Sequence, residues 1–328
     1  VRAIAIASPG GPEVLEERDV ALPEPGAGQL RVRVHAVGVN RADLLQRQGR
    51  YPAPPGVPAD VPGLEYAGTV DALGPGVEGW RVGDRVMGLV GGGAYAEAVV
   101  VDAREVVAIP AGLSFEEAAA VPEAFITAHD ALFTLLGLRA GESVLIHAVG
   151  SGVGTAAVQL ARAAGARVLG TSRSAWKLER ATSLGLEIGI DAGAEAFAEA
   201  VRRHTGGRGV DAILDLVGGG YLRGNLESLA VKGRMAVVGL VAGRRAELDL
   251  GLLLARRLTV IGTVMRGRSP DEKAAAVAAF RDDVLPLLEE GRVRPVVDAV
   301  LPFHEVREAH RRVEADRNFG KVVLTWAA

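Results

Sequence analysis

A short apolar run ends in a glycine cluster, Gly150-Ser151-Gly152-Val153-Gly154, and a helix-patterned stretch follows at once. The surrounding segment, 143–172, reads SVLIHAVGSGVGTAAVQLARAAGARVLGTS. Ser143 to His147 is strand-like, and Thr155 to Ala164 carries helical apolar spacing. Gly165 stops that helix, and Arg167 to Thr171 forms a second strand. Glycines at the first strand-to-helix turn of a βαβ unit let backbone approach a diphosphate, whose charge faces the free N–H groups of the helix. The strict G-x-G-x-x-G spacing fails at Thr155, so the strand, turn, helix and strand together carry the assignment. The competing reading is a purely structural turn in another α/β domain.

The end of the second strand selects the dinucleotide. A site for an unphosphorylated ribose usually has Asp or Glu about 20 residues beyond the glycines. Here the stretch is Thr171-Ser172-Arg173-Ser174-Ala175-Trp176-Lys177, with no carboxylate before Glu179. Ser172 offers a hydroxyl, and Arg173 and Lys177 offer positive charge, which suits a ribose phosphate. These residues predict NADP(H); the alternative is that both cations are ordinary solvated charges.

A length of 328 residues suits two domains, and a 49% hydrophobic content is enough for real cores. The net charge is −3 with no long basic run, so neither nucleic acid nor an anionic membrane is an expected partner. The absence of Cys excludes disulfides, thiolate catalysis and Cys-ligated zinc together. The first apolar run is too short for a signal peptide, and no stretch of 18 apolar residues follows. The expectation is a soluble, cytoplasmic protein.

Up to about residue 120 the chain has short strand-like runs: Leu30 to His35, Tyr66 to Ala72, Arg85 to Leu89 and Ala94 to Val101. Turn clusters separate them, including Pro54-Pro55-Gly56 and Gly74-Pro75-Gly76, and a partly open β-barrel is expected. Ser114 should cap a helix whose first turn holds Glu116 and Glu117, and VPEAFITAHDALFTLLG should form the next helix. Strands and helices then alternate through Ala212 to Val217, Arg234 to Leu240 and Leu258 to Val264, which predicts a doubly wound parallel sheet. One long helix is expected over Asp271 to Glu290, followed by strand, helix and strand over Asp298 to Pro302, Val306 to Ala315 and Lys321 to Trp326. That tail has the size to complete the first domain. The expected division is therefore 1–123 with 267–328 as one discontinuous domain, and 124–266 as the dinucleotide-binding domain inserted in it.

Several motifs are diagnostic together: Gly38-Val39-Asn40-Arg41-Ala42-Asp43, Gly49-Arg50-Tyr51-Pro52, Pro62-Gly63-Leu64-Glu65 and Gly83-Asp84-Arg85-Val86. The Ala148 to Gly154 turn, Asp215-Leu216-Val217-Gly218 and Gly320-Lys321-Val322-Val323 extend them along the whole chain. With these the sequence resembles the medium-chain dehydrogenase/reductase superfamily, and within it the zinc-independent quinone oxidoreductases. The stretch NRADLLQRQGRY is similar to the p53-inducible quinone oxidoreductase branch. The resemblance implies a Rossmann sheet for the inserted domain, a GroES-like barrel for the other, and NADP(H) as cofactor.

Zinc-dependent members of that superfamily use a Cys and a His where this chain has Asn40 and Leu64, neither of them a plausible catalytic zinc ligand. No metal site is expected. A carbonyl acceptor must then be polarised by hydrogen bonds. The resemblance implies Asn40 and Tyr51 as donors facing the nicotinamide, with Tyr51 also able to relay a proton. Some relatives carry a second Tyr where this chain has Leu45.

For the cofactor the resemblance adds Thr127 near the nicotinamide and Gly150, Ser151, Gly152 and Val153 at the diphosphate. It also adds Val217, the turn Gly239-Leu240-Val241, the strand end Thr263-Val264-Met265, and Asn318. Ala192 stands where relatives often stack a Tyr near the adenosine phosphate, and Arg173 could compensate.

The expected activity is metal-free reduction of quinones by NADPH. Two alternatives stand beside it: reduction of enones, alkenals or enoyl thioesters on the same fold, and NADPH binding without turnover. A homodimer is expected, because Leu258 to Val264 is apolar on both faces and lies last in the sheet order.

Overall fold

The computed structural model describes residues 1–326 and divides into two compact units. One comprises Val1–Ile126 with Met265–Ala328, and the other Thr127–Val264.

In the first unit a seven-stranded sheet runs Val297–Pro302, Lys321–Thr325, Gln29–Val39, Glu65–Leu73, Arg85–Leu89 and Val106–Ala108 in spatial order. Ala98–Asp102 pairs with the long strand Gln29–Val39, and Arg2–Ile6 forms a separate pair with Leu15–Asp19. Alternation drives the long strand. Leu30, Val32 and Val34 point inward onto Tyr66, Val70, Val86, Val322 and Leu324. The last strand, 281 residues away in sequence from Asn40, pairs antiparallel with Gln29–Val39 and so returns Lys321 to the start of the chain.

In the second unit the sheet is parallel throughout. Its spatial order is Ile188–Asp191, Arg167–Ser172, Ser143–Ile146, Val210–Asp215, Leu229–Val237 and Thr259–Gly262. Order reverses about Ser143–Ile146, which makes the crevice beyond its carboxyl end the switch point of a doubly wound fold. Leu145, Leu169, Ile213 and Met235 form the middle of the core.

Ser114 caps Phe115–Ala119 as its sequence suggested: Glu117 N donates to Ser114 Oγ at 3.2 Å, and Ser114 N donates to Glu117 Oε2 at 3.0 Å. Two helices depart from expectation. The long helix over Asp271 to Glu290 is two, Pro270–Asp283 and Leu285–Glu289, because Pro286 has no N–H to continue the ladder. The helix expected after Val121 opens into π-helical turns, Pro122–Ile126 and Asp130–Leu135, on either side of Thr127–His129. Pro122 cannot donate, and Glu123 N donates to a side chain, Glu65 Oε2. Such turns are frequent at functional sites.

Candidate functional site

In the second unit the glycine turn closes onto the start of a helix. Ser151 caps the twelve-residue helix Gly152–Ala163, accepting from Gly154 N at 3.0 Å. The N–H groups of Gly152 and Val153 remain at the free helix end. Ala148 takes φ = 50°, an uncommon left-handed conformation for a residue with a side chain. A Cβ on Gly154 would lie 2.3 Å from Ala148 O, so the turn admits only glycine there. A Cβ on Gly150 would lie 2.6 Å from Lys177 Cδ. The Lys177 stem thus crosses over the turn, and Lys177 is only 9% exposed. Lys177 is thus a buried residue and not one standing free on the surface. Arg173 is exposed, and Ser172 Oγ accepts from Ser174 N at 3.1 Å. Thr127 Oγ1 is buried with no hydrogen-bond partner among the described residues, a position that suits a ligand's polar group. These features fit a phosphorylated dinucleotide.

A buried network behind the turn was invisible to local pattern. Asn225 Nδ2 donates to Asp215 Oδ2 at 2.9 Å, so its Oδ1 accepts from His147 Nε2 at 2.6 Å. His147 Nδ1 then accepts from Thr171 Oγ1 at 2.8 Å. Burial pushes the His147 pKa down, which favours this neutral form. Asp215 Oδ1 accepts from Val217 N and Gly218 N at 2.8 and 2.9 Å. One chain of bonds therefore ties three strand ends to the loop that carries Val217.

The other predicted cofactor residues are scattered. A Cβ on Gly239 would lie 2.3 Å from Leu216 O, so that turn also needs glycine, while Leu240 and Val241 are exposed. Thr263 N donates to Val237 O at 3.1 Å, and Val264 is exposed. Asn40, Met265 and Asn318 belong to the first unit. Asn318 Nδ2 donates to Gly320 O at 2.7 Å and closes the turn before Lys321.

In the first unit Asn40 is the centre of a polar knot. Its Nδ2 donates to Glu65 Oε1 at 2.8 Å and to Gly38 O at 3.2 Å. Its Oδ1 accepts from Lys321 Nζ at 2.5 Å. Lys321 Nζ also reaches Glu65 Oε1 at 2.6 Å and Val39 O at 3.1 Å. Both amide hydrogens of Asn40 are engaged, so the free donor expected at this residue is missing; Asn40 instead holds Glu65 and Lys321. The carboxylate of Asp43 accepts from Asn40 N at 2.7 Å and Gly63 N at 3.1 Å, and burial pushes its pKa up to about 6.

Tyr51 lies half-buried with the Arg266 guanidinium 4.9 Å from its ring centroid. Arg266 is buried and, among the described residues, donates to neutral acceptors: Gly91 O at 2.6 Å, Gln46 Oε1 at 2.7 Å and Tyr51 O at 3.3 Å. Burial pushes the Tyr51 pKa up, and Arg266 opposes that. Glu65, Glu123, Arg266 and Lys321 were not among the site residues expected from sequence. Lys321 had a signal, being one of four lysines and opening an otherwise apolar strand.

Among the described residues no three His, Asp or Glu side chains converge to hold a metal ion. The donors of the knot do not suit zinc: a buried ammonium already lies among the Asn40, Val39 and Glu65 oxygens.

Residues 26–111 match the model of the alcohol dehydrogenase GroES-like domain, and residues 152–281 that of the zinc-binding dehydrogenases. A quinone oxidoreductase of Pseudomonas aeruginosa is 36% identical over 98% of this chain and 99% of its own. The chain belongs to the medium-chain dehydrogenase/reductase superfamily. Among solved medium-chain reductases, the Escherichia coli quinone oxidoreductase complexed with NADPH superposes with a TM-score of 0.89 at 29% identity, over 99% of this chain and 100% of its own. A structure described as an NAD-dependent alcohol dehydrogenase has the same TM-score at 37% identity, over the full length of both. In this medium-chain reductase the GroES-like fold and the parallel Rossmann sheet are both present.

Proposed function

We propose that this medium-chain reductase uses NADPH to reduce quinones and needs no metal ion. The observation that carries this reading is the Lys321 ammonium held by Asn40, Val39 O and Glu65. With that position filled by a cation of the chain itself, acceptor polarisation falls to hydrogen-bond donors, and Tyr51 is the one at hand. A quinone is electron-poor and needs little polarisation, so such a site suits it. Similarity to a quinone oxidoreductase over nearly the whole chain supports the same class.

Gly152 N, Val153 N and the Gly150 turn would hold the diphosphate, while Ser172, Arg173 and Lys177 would hold the ribose phosphate. Thr127 Oγ1 would take a polar group of the nicotinamide end. When bound, the reduced nicotinamide supplies the hydride. Tyr51 orients the acceptor oxygen by donating its hydroxyl hydrogen, and the Arg266 charge beneath the ring strengthens that donor. The His147–Asn225–Asp215 chain keeps the loop after Val210–Asp215 in place.

The test is NADPH oxidation with a panel of quinones and a panel of enones, each with and without a chelator. Quinone-dependent turnover that survives chelation is expected. Turnover with enones alone would move the substrate class, and tight NADPH binding without turnover would make the protein a binder. Stoichiometric zinc, with activity lost on chelation, would overturn the metal-free reading.

A homodimer is part of the proposal. Thr259–Gly262 is an edge strand of the parallel sheet. Val260 and Val264 on or just after it are exposed, as are Leu250 and Leu254 of the preceding helix. Open strand edges with apolar side chains favour pairing with a second copy. Light scattering at micromolar concentration should give twice the 34.0 kDa chain mass, and a monomer mass would refute the dimer.

A further inference from the structure

The turn Pro122–Ile126 carries a carboxyl group that the proposed mechanism has not used. Glu123 N is engaged by Glu65 Oε2 at 2.8 Å, which pins the residue beside the polar knot. Its own carboxyl makes no hydrogen bond or ion pair among the described residues. Protein surrounds most of the side chain, yet part of it stays open. Tyr51 and Arg266 lie within electrostatic reach of it. We propose that Glu123 is a catalytic residue of the reduction, the acid that delivers a proton to the acceptor oxygen beside Tyr51. This rests on the reading that the chain reduces a conjugated carbonyl compound.

The other acidic groups nearby are already occupied. Asp43 is fully buried and accepts from Asn40 N, Gly63 N and the Tyr95 hydroxyl. Glu65 is fully buried and held by Asn40, Lys321 and Glu123 N. Glu123 alone combines a free carboxyl with an open edge.

Its environment also suits an acid at neutral pH. Burial is the main cause that raises its pKa, to about 8, and the negative charges of Glu65 and Asp43 add to it. Lys321 and Arg266 oppose the rise. Charged groups of the other elements packed on this turn have partners elsewhere. Arg85 donates to Leu113 O, Asp271 pairs with Arg104, Glu272 caps its own helix, Lys273 acts on Glu105, and Arg281 pairs with Asp282. Tyr51 has its pKa raised above an already high value and is a poor proton source at pH 7. An acid whose pKa lies near the working pH is the better one. Tyr51 therefore orients, and Glu123 protonates.

The step balances. The acceptor gains two electrons with the hydride supplied by NADPH and one proton from Glu123. The carboxyl O–H bond breaks, its electron pair stays on Glu123 as the carboxylate, and an O–H bond forms on the acceptor. Water reprotonates the carboxylate through its open edge.

Glu123→Gln keeps size and hydrogen bonding but has no proton to give. With the best acceptor of the parent, its kcat should fall by about tenfold to a hundredfold at pH 7, near the low end of general-acid effects. The NADPH dissociation constant should stay within twofold, roughly the spread of such measurements. The parent's kcat should decline above pH 8, because the carboxylate cannot donate, and the variant should lose that limb. Infrared difference spectra of the cofactor-free protein give a separate readout: a protonated-carboxyl band present at pH 7, titrating near pH 8 and absent in the variant. Equal kcat and an unchanged basic limb in Glu123→Gln would overturn the role of Glu123 alone, and so would a spectrum lacking the band at pH 7. A parent that turns over no conjugated carbonyl compound would overturn the role together with the function it rests on.

Discussion

Lys321→Met should destabilise the first unit by about 3–5 kcal/mol, the usual cost of removing one partner of a buried ion pair. Lys321 is 4% exposed and Glu65 is fully buried, so water screens the pair little. Methionine fills the place of the lysine stem, which keeps cavity formation out of the comparison. What is lost is the ammonium and its bonds to Glu65, Asn40 Oδ1 and Val39 O. The Asn40 amide and Glu123 N would still donate to Glu65, but neither carries charge. Adding Glu65→Gln to Lys321→Met should recover part of the loss, because the unpaired charge is gone, and the two changes should be clearly non-additive. Urea unfolding followed through Trp326 and Trp80, both in this unit, measures all three variants. A loss under about 1 kcal/mol at pH 7, as for an exposed pair, would show that the knot does not hold the fold.

NADPH should bind about a hundredfold more tightly than NADH, a difference near 3 kcal/mol. No carboxylate at the end of Arg167–Ser172 competes for a bare ribose. Charge-assisted hydrogen bonds contribute roughly 1.5–3 kcal/mol each before screening. The structure separates the two cations. Arg173 is exposed, so solvent discounts it, whereas Lys177 is buried against Gly150 and should contribute more. Lys177→Met keeps the stem over the turn and removes only the charge. It should weaken NADPH by about tenfold or more while leaving NADH nearly unchanged, and Arg173→Ala should have the smaller effect. Lys177→Ala is a different experiment, because it also uncovers Gly150 and should weaken both cofactors. Dissociation constants from nicotinamide fluorescence decide the matter. Equal affinities for the two cofactors in the parent would falsify the preference.

The features legible in sequence were those made by neighbours in the chain. Strand, glycine turn and helix at 143–164 follow from local periodicity and from the steric demand for glycine. The Ser114 capping box needs only residues three apart. The break at Pro286 was missed, since one long helix was expected over Asp271 to Glu290, although proline carries its own stop signal. Alternation over Leu30 to His35 marked a strand, which the structure extends to Gln29–Val39.

Asn40 shows where such reading stops. The family resemblance implied a donor aimed at substrate, but a side-chain amide has two hydrogens, and what they meet depends on residues far along the chain. Glu65 lies 25 positions away and Lys321 lies 281. The pairing of Lys321–Thr325 with Gln29–Val39 brings them together. Burial then makes that encounter strong, because charges in a dry interior cannot be left unpaired. Glu123 and Lys177 follow the same logic. Their chemical types were plain, but a carboxyl becomes an acid for neutral pH, and a lysine becomes a fixed charge, only through what the fold packs around them. By itself the sequence determined most local elements, the glycine turn before the helix and the absence of cysteine ligands. The tertiary structure decided which polar groups are engaged and which are left to act, because desolvation and long-range pairing exist only once the chain has closed on itself.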